Sequence, residues 1–125
     1  MKFTEHRDSN VLAIKRYQAG EVVINDQKVL SSCYLTQHYL HRDWACKHIS
    51  ELNTERLDEL LKLNPEVIIL GTGETQTFPD VKYFAYCAKQ GVGLEVMNNA
   101  AASRTFNVLT TEDREVLLAL IMEEE

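Results

Sequence analysis

Val67-Ile68-Ile69-Leu70-Gly71-Thr72-Gly73 and, later in the chain, Leu94-Glu95-Val96-Met97-Asn98-Asn99 decide how this protein folds. The first is a short apolar run, rich in β-branched side chains, that ends in a Gly-Thr-Gly turn. A strand covered on both faces reads this way, because neither face has to be polar. The second segment repeats the plan, and a helix-period stretch separates the two. The unit therefore reads strand, loop, helix, strand, loop, helix. Two neighbouring parallel strands would point their carboxyl ends, and both loops, into one crevice. Open α/β sheets usually bind their ligands there.

Working outward from this core, Thr77-Phe78-Pro79-Asp80 resembles a capping box with proline in the first turn. Val81, Phe84, Ala85 and Ala88 supply the apolar face of a crossover helix near residues 79–90, which Gly91 ends. A further helix is expected after Asn98-Asn99. Another is expected from Thr110 or Thr111, with Glu112 and Asp113 in its first turn and Leu117, Leu120 and Ile121 facing inward. The final Glu123-Glu124-Glu125 is expected to fray. Upstream, Asn53 or Thr54 can cap a helix through Leu63 with Leu57, Leu60 and Leu61 as its stripe, and Asn64-Pro65 stops it.

The amino-terminal half has another character. Its first ten residues are polar and are expected along the surface. Val11–Tyr17 and Glu21–Asn25 flank Gln18-Ala19-Gly20, a hairpin-like break. Asn25-Asp26-Gln27 is a second turn signal before a strand at Val29–Leu35. Trp44–Ile49 alternates, with Trp44, Cys46 and His48 on one side. This half reads as a meander of short, antiparallel strands. The whole, residues 1–125, is expected to be a single domain.

Hydrophobic content of 45% and charged content of 26% are ordinary globular values. A net charge of −6 argues against nucleic acid as a partner, since phosphate backbones need a basic surface. No apolar run approaches the ~20 residues of a membrane span, and Met1–His6 lacks the apolar core of a signal peptide. Cys33, Cys46 and Cys87 are odd in number and form no Cys-x-x-Cys pair. They read as reduced packing thiols, and the compartment as cytoplasmic.

Gly71-Thr72-Gly73-Glu74-Thr75-Gln76 opens like a dinucleotide fingerprint but has Gln76 where the third glycine belongs. No Gly-Lys-Ser/Thr follows, so it is not a P-loop. A tight turn explains both glycines. The alternative is a backbone-amide cradle for a small anion, with Gly71, Thr72, Gly73, Asn98, Asn99 and Arg104 as ligand-binding residues. Arg104 has two readings: a bidentate donor to a ligand carboxylate or phosphate, or one half of a structural ion pair with Glu95. The histidine set His38, His41 and His48 with Cys46 lacks metal-ligand spacing on one face of a strand. No metal and no cofactor are expected. Cys87 falls inside a helix and no serine occupies a nucleophile elbow, so no catalytic constellation is present.

Asn64–Gly73, Gly91–Met97 and Ala101-Ala102-Ser103-Arg104-Thr105-Phe106-Asn107-Val108-Leu109 together resemble a family of small domains of unknown function. Its relatives include a mitochondrial complex I assembly factor and an adipogenesis-associated vertebrate protein, and its bacterial and archaeal members stand alone. The resemblance covers nearly the whole chain and is most specific in the carboxyl-terminal half. It implies a three-layer α/β domain with a mixed central sheet: a β-hairpin-rich amino-terminal half and a parallel βαβα carboxyl-terminal half. It implies no accepted reaction. The best-studied branch acts through protein association. The expectation is thus a non-enzymatic binding or assembly module with a protein partner. The alternative is a small-anion binder or weak enzyme using the two-loop crevice.

Overall fold

The computed structural model describes residues 11–123. The expectations for the first ten residues and for Glu124-Glu125 lie outside the described residues. Among the described residues, eight strands and three α-helices follow in order: β1 (Ile14–Gln18), β2 (Glu21–Ile24), β3 (Gln27–Val29), β4 (Cys33–Leu35), β5 (Leu40–Arg42), α1 (Thr54–Leu61), β6 (Val67–Gly71), α2 (Lys82–Lys89), β7 (Gly93–Met97), α3 (Asn99–Thr110) and β8 (Val116–Leu120).

β1, β2 and β3 form a small antiparallel sheet. The other five form a mixed sheet in the order β5-β4-β8-β6-β7. β6 runs parallel to β7, with Ile69 beside Glu95, and parallel to β8, with Ile69 beside Leu118. β4 is antiparallel to both β8 and β5. Alternate residues of the central strands point to opposite faces. Ile68, Leu70, Leu94, Val96, Leu117 and Ala119 join Leu57 and Leu60 of α1 and Cys87 of α2. Val67, Ile69, Val116, Leu118 and Leu120 join Ala102 and Phe106 of α3, together with Ile14, Val22, Ile24 and Val29 of the small sheet. The layers are therefore α1 and α2, the mixed sheet, then α3 with the small sheet: a mixed α/β fold, as expected.

The largest departure is at the carboxyl end. Val116-Leu117-Leu118-Ala119-Leu120 is not the inward face of a fourth helix but β8, buried at every position between β4 and β6. A strand covered on both faces has no polar alternation, and leucine and alanine favour helices, so its local signal is that of a buried helix. The antiparallel half also divides differently. Val29–Leu35 is divided between two strands in two sheets, because the chain bends at Ser31, beside Ser32, whose hydroxyl accepts from Met122 N–H at 2.8 Å. Trp44–Ile49 is not a strand; Trp44 and Cys46 are buried as expected, whereas His48 is exposed and its ring accepts the amide of Ser50 at the head of a short 3-10 turn.

α1 is capped by Asn53, whose side chain accepts from Arg56 N–H at 2.8 Å. α2 starts later than expected and has no Thr77 cap. Asp80 Oδ1 accepts from Lys82 N–H at 2.9 Å, while the Thr77 amide is used in the preceding loop. Its inward residues are Cys87 with Tyr83, Phe84 and Tyr86, whereas Val81, Ala85 and Ala88 are exposed. Gly91, at φ +77°, ends it.

Candidate functional site

All three parallel strands end on the same side of the mixed sheet. From β6 the chain passes to α2 on one face, and from β7 it passes to α3 on the other. Diverging loops leave a gap between neighbouring strand ends. A cavity of about 530 Å³ opens there. Thr72, Gly73, Glu74, Thr75 and Thr77 line it from the β6 loop, Asn99 from the head of α3, and Ile121, Met122 and Glu123 from the residues after β8. The β1–β2 hairpin adds Tyr17, Ala19 and Gly20, and the loop before α1 adds His48 and Ile49.

Asn99 is the hub of this crevice. It is buried, its Oδ1 accepts from Gly73 N–H at 3.0 Å, and its Nδ2 donates to Ile121 C=O at 3.0 Å and to Tyr17 Oη at 3.1 Å. Its own amide donates to Gly73 C=O at 2.8 Å. One side chain thus ties together the chain segments that follow β6, β7 and β8. Gly71 makes room for it. A Cβ at position 71 would overlap Asn99 Oδ1 and stand 2.8 Å from Leu120 Cδ2. Gly71 therefore serves close approach within an ordinary strand, and only Gly73, at φ +103°, uses the left-handed freedom expected of the pair.

The donors of Thr72, Gly73 and Thr77 are engaged internally. Thr72 N–H donates to Met97 C=O at 3.0 Å, and the Thr72 hydroxyl donates to Thr75 C=O at 2.8 Å while accepting from Thr77 N–H at 2.9 Å. Asn98 caps α3 by accepting from Ala101 N–H at 2.8 Å. Among the described residues, the carboxylates on the crevice wall are Glu74 and Glu123, and His48 adds an imidazole. Tyr17 donates to Glu74 Oε2, and burial together with this bond pushes its hydroxyl up to about 12. His48 Nδ1 accepts from Ser50 N–H at 3.2 Å, which leaves the proton of the neutral ring on Nε2, 3.2 Å from Glu123 Oε2. Two carboxylates beside one imidazole make a wall that attracts cations and repels anions.

Arg104 takes no part in this crevice. It is exposed and lines a separate cavity of about 240 Å³ between α3 and β1. It also makes no ion pair with Glu95 among the described residues. Glu95 is exposed because β7 is an edge strand, so the carboxylate stays in water and needs no buried partner. The six residues expected to share one ligand are thus divided: Thr72, Gly73 and Asn99 line the crevice, Gly71 lies beneath Asn99, Asn98 is a cap, and Arg104 belongs elsewhere. Tyr17, His48, Glu74 and Glu123 were not foreseen. Glu74 follows Gly73 in the same loop, whereas Tyr17, His48 and Glu123 come from segments distant in sequence, and no local spacing marks them.

Among the described residues no group of histidine, cysteine and carboxylate side chains is placed to hold a metal ion, and no helix is long and apolar enough to cross a membrane. All three cysteines are free and buried.

Residues 14–121 match the family described as protein of unknown function (DUF498/DUF598). The chain belongs to this family. It shares 40% identity with a Xanthomonas campestris protein solved by NMR, covering 95% of this chain and 89% of that one, with a TM-score of 0.83. It is 29% identical to a protein named 13 kDa major membrane protein from Francisella tularensis, over 97% of this chain and 99% of that relative. It is also 29% identical to NADH dehydrogenase [ubiquinone] 1 alpha subcomplex assembly factor 3 of Xenopus tropicalis, over 94% of this chain. The chain spans 64% of that assembly factor's length.

Proposed function

We propose that this family member is a non-enzymatic, assembly-type module that acts through protein association, and that its contact face is the crevice rim with the adjoining loop 74–81. The carrying observation is the exposure of Phe78, 65%, and Val81, 78%. Large apolar side chains held in water beside a concavity are typical of interaction sites. Thr77 lines the crevice, and Ile49 lines both the crevice and the smaller hollow under Phe78 and Pro79. The face thus joins an apolar lobe to a wall bearing Glu74 and Glu123, which suits a partner segment carrying an apolar anchor and a basic side chain. The assembly-factor name of the Xenopus relative supports the same reading. Reduced, buried cysteines and acidic composition support a cytoplasmic setting.

Site-specific photo-crosslinking in the native cell tests it. A crosslinker at position 78 or 81 should give a discrete protein adduct that one at exposed Val108, on α3, does not. Glu74→Gln combined with Glu123→Gln should weaken the adduct. Equal adducts from all three positions would refute the proposed face.

A further inference from the structure

The small sheet is fastened to α3 by Asn107, whose Oδ1 accepts from Ile14 N–H at 3.0 Å and whose Nδ2 donates to Ile14 C=O at 2.8 Å. Beside this clamp β1 leaves regular pairing. Ile14 pairs with Ile24 and Arg16 with Val23, so Lys15 is the extra residue of a bulge. The bulge leaves Lys15 and Arg16 both exposed in succession, between Ile14 and Tyr17, which pack against the core. Across from them α3 presents Ala100, Ser103 and Arg104, and the two elements enclose the cavity of about 240 Å³. Among the described residues, its charged lining residues are Lys15, Arg16 and Arg104, with no acidic residue. On a chain of net charge −6 such a local positive field is set against the overall charge.

The second observation is Ser103. It is 3% exposed, lines this cavity, and its Oγ has no hydrogen-bond partner among the described residues. A serine in the interior of a helix ordinarily turns its hydroxyl back to a carbonyl of the preceding turn. Leaving it buried and unpaired carries a desolvation cost, and a turn about χ1 would bring this hydroxyl, closed off as it stands, to a ligand oxygen in the cavity. Arg16 lies 3.8 Å from Glu21, whereas Lys15 and Arg104 have no carboxylate partner among the described residues, which leaves one ammonium on the β1 wall and one guanidinium on the α3 wall.

We propose that the groove between β1 and α3 binds a compact phosphate group, contacted by Lys15 from one wall, Arg104 from the other and the Ser103 hydroxyl beside it. Donors converging from two walls suit a tetrahedral oxyanion better than a planar carboxylate, and the hollow accepts one phosphate with the remainder of any ester left in solvent. The site is separate from the acid-lined crevice and does not depend on the protein-association reading.

The test is titration of the intact protein with inorganic phosphate, glycerol 3-phosphate and acetate at constant ionic strength, followed by backbone amide shifts and thermal stability. Saturable shifts centred on Lys15, Ser103 and Arg104 are expected with phosphate. Arg104→Gln and Lys15→Gln, both at exposed positions, should each weaken binding about tenfold or more, the loss of a charge-assisted contact. Ser103→Ala should be neutral or stabilising without phosphate, since it removes an unpaired hydroxyl, yet should bind phosphate several-fold more weakly. Tighter binding of glycerol 3-phosphate than of inorganic phosphate would identify an ester as the occupant, and the reverse a free ion. Absence of saturable shifts, equal response to acetate, or a phosphate response unchanged in Arg104→Gln would each overturn the proposal.

Discussion

Asn99 Oδ1 occupies the space in which a side chain on Gly71 would begin. The two positions are a matched pair: the strand end lacks a Cβ so that an amide from the next loop can reach Gly73 N–H and Ile121 C=O. Gly71→Ala should therefore cost at least the ~1–3 kcal/mol of an overpacked core, because the new methyl displaces that amide. Asn99→Ala should cost about as much, by stranding a buried donor and acceptor. The double mutant should lose clearly less than the sum, since the methyl has nothing left to displace. Urea unfolding of the four proteins checks this; simple additivity would contradict it.

The pairing of Ile69 with Leu118 makes the strand reading of residues 116–120 testable. Both are fully buried on the α3 face. Ile69→Ala and Leu118→Ala should each cost about 2–5 kcal/mol, with a coupling between them. Ile69→Asp should prevent stable folding, because an aspartate there has no partner. A near-wild-type melting temperature for any of the three would overturn the assignment.

What was legible in the chain follows from where signals are local. Val67–Gly71 and Gly93–Met97 carry β-branched residues and a glycine-rich or asparagine-capped exit, so their strand character and their parallel pairing could be read directly. Val116–Leu120 is buried at every position like Val67–Gly71 but has one β-branched residue against three, and its leucines imitate a helix. Of the crevice, Thr72, Gly73 and Asn99 could be anticipated because they follow adjacent strand ends. Tyr17 reaches Glu74 across 57 positions of sequence, and His48 meets Glu123 only after β8 is inserted between β4 and β6. Tertiary topology creates those neighbours. The same holds for Arg104: its side of α3 faces β1, a contact no helical period can announce.

Alkaline stability should report Tyr17. An unfolded tyrosine releases its proton near 10.0, whereas the folded protein retains it to about 12, first through burial and then through the bond to Glu74. Between these values the native state binds more protons than the unfolded one, so stability must fall as pH rises. This contribution is intact below pH 10, declines above it and is gone by about 12. Tyr34 is shifted in the same direction by burial and by Glu59, so Tyr17→Phe should reduce the decline without abolishing it. Absorbance titration at alkaline pH should show one late-titrating phenol fewer in that variant.

The thiols give a fourth test. Burial pushes Cys33 up to about 12 and Cys46 up to about 11, and raises Cys87 as well. Since the thiolate is the reacting form, colourimetric thiol labelling near neutral pH should be slow in the native protein at all three positions and rapid in urea. Fast stoichiometric labelling of any one in the native state would contradict its burial.

The contact face makes the last prediction. Phe78 and Val81 stand in solvent, and changes at such positions usually alter stability by less than about 0.5 kcal/mol. Phe78→Ser and Val81→Ser should therefore leave urea midpoints where they are. If these side chains are anchors for a partner, the same substitutions should remove the protein adduct expected around position 78, because anchors carry most of the binding energy of an interface. Arg104→Gln should leave that adduct intact, since the β1–α3 groove is a separate cavity with separate lining residues. Loss of the adduct at unchanged stability ties it to the face. Loss accompanied by unfolding would assign Phe78 a packing role that its exposure argues against. An adduct that survives both serine substitutions would remove the loop 74–81 from the interface altogether.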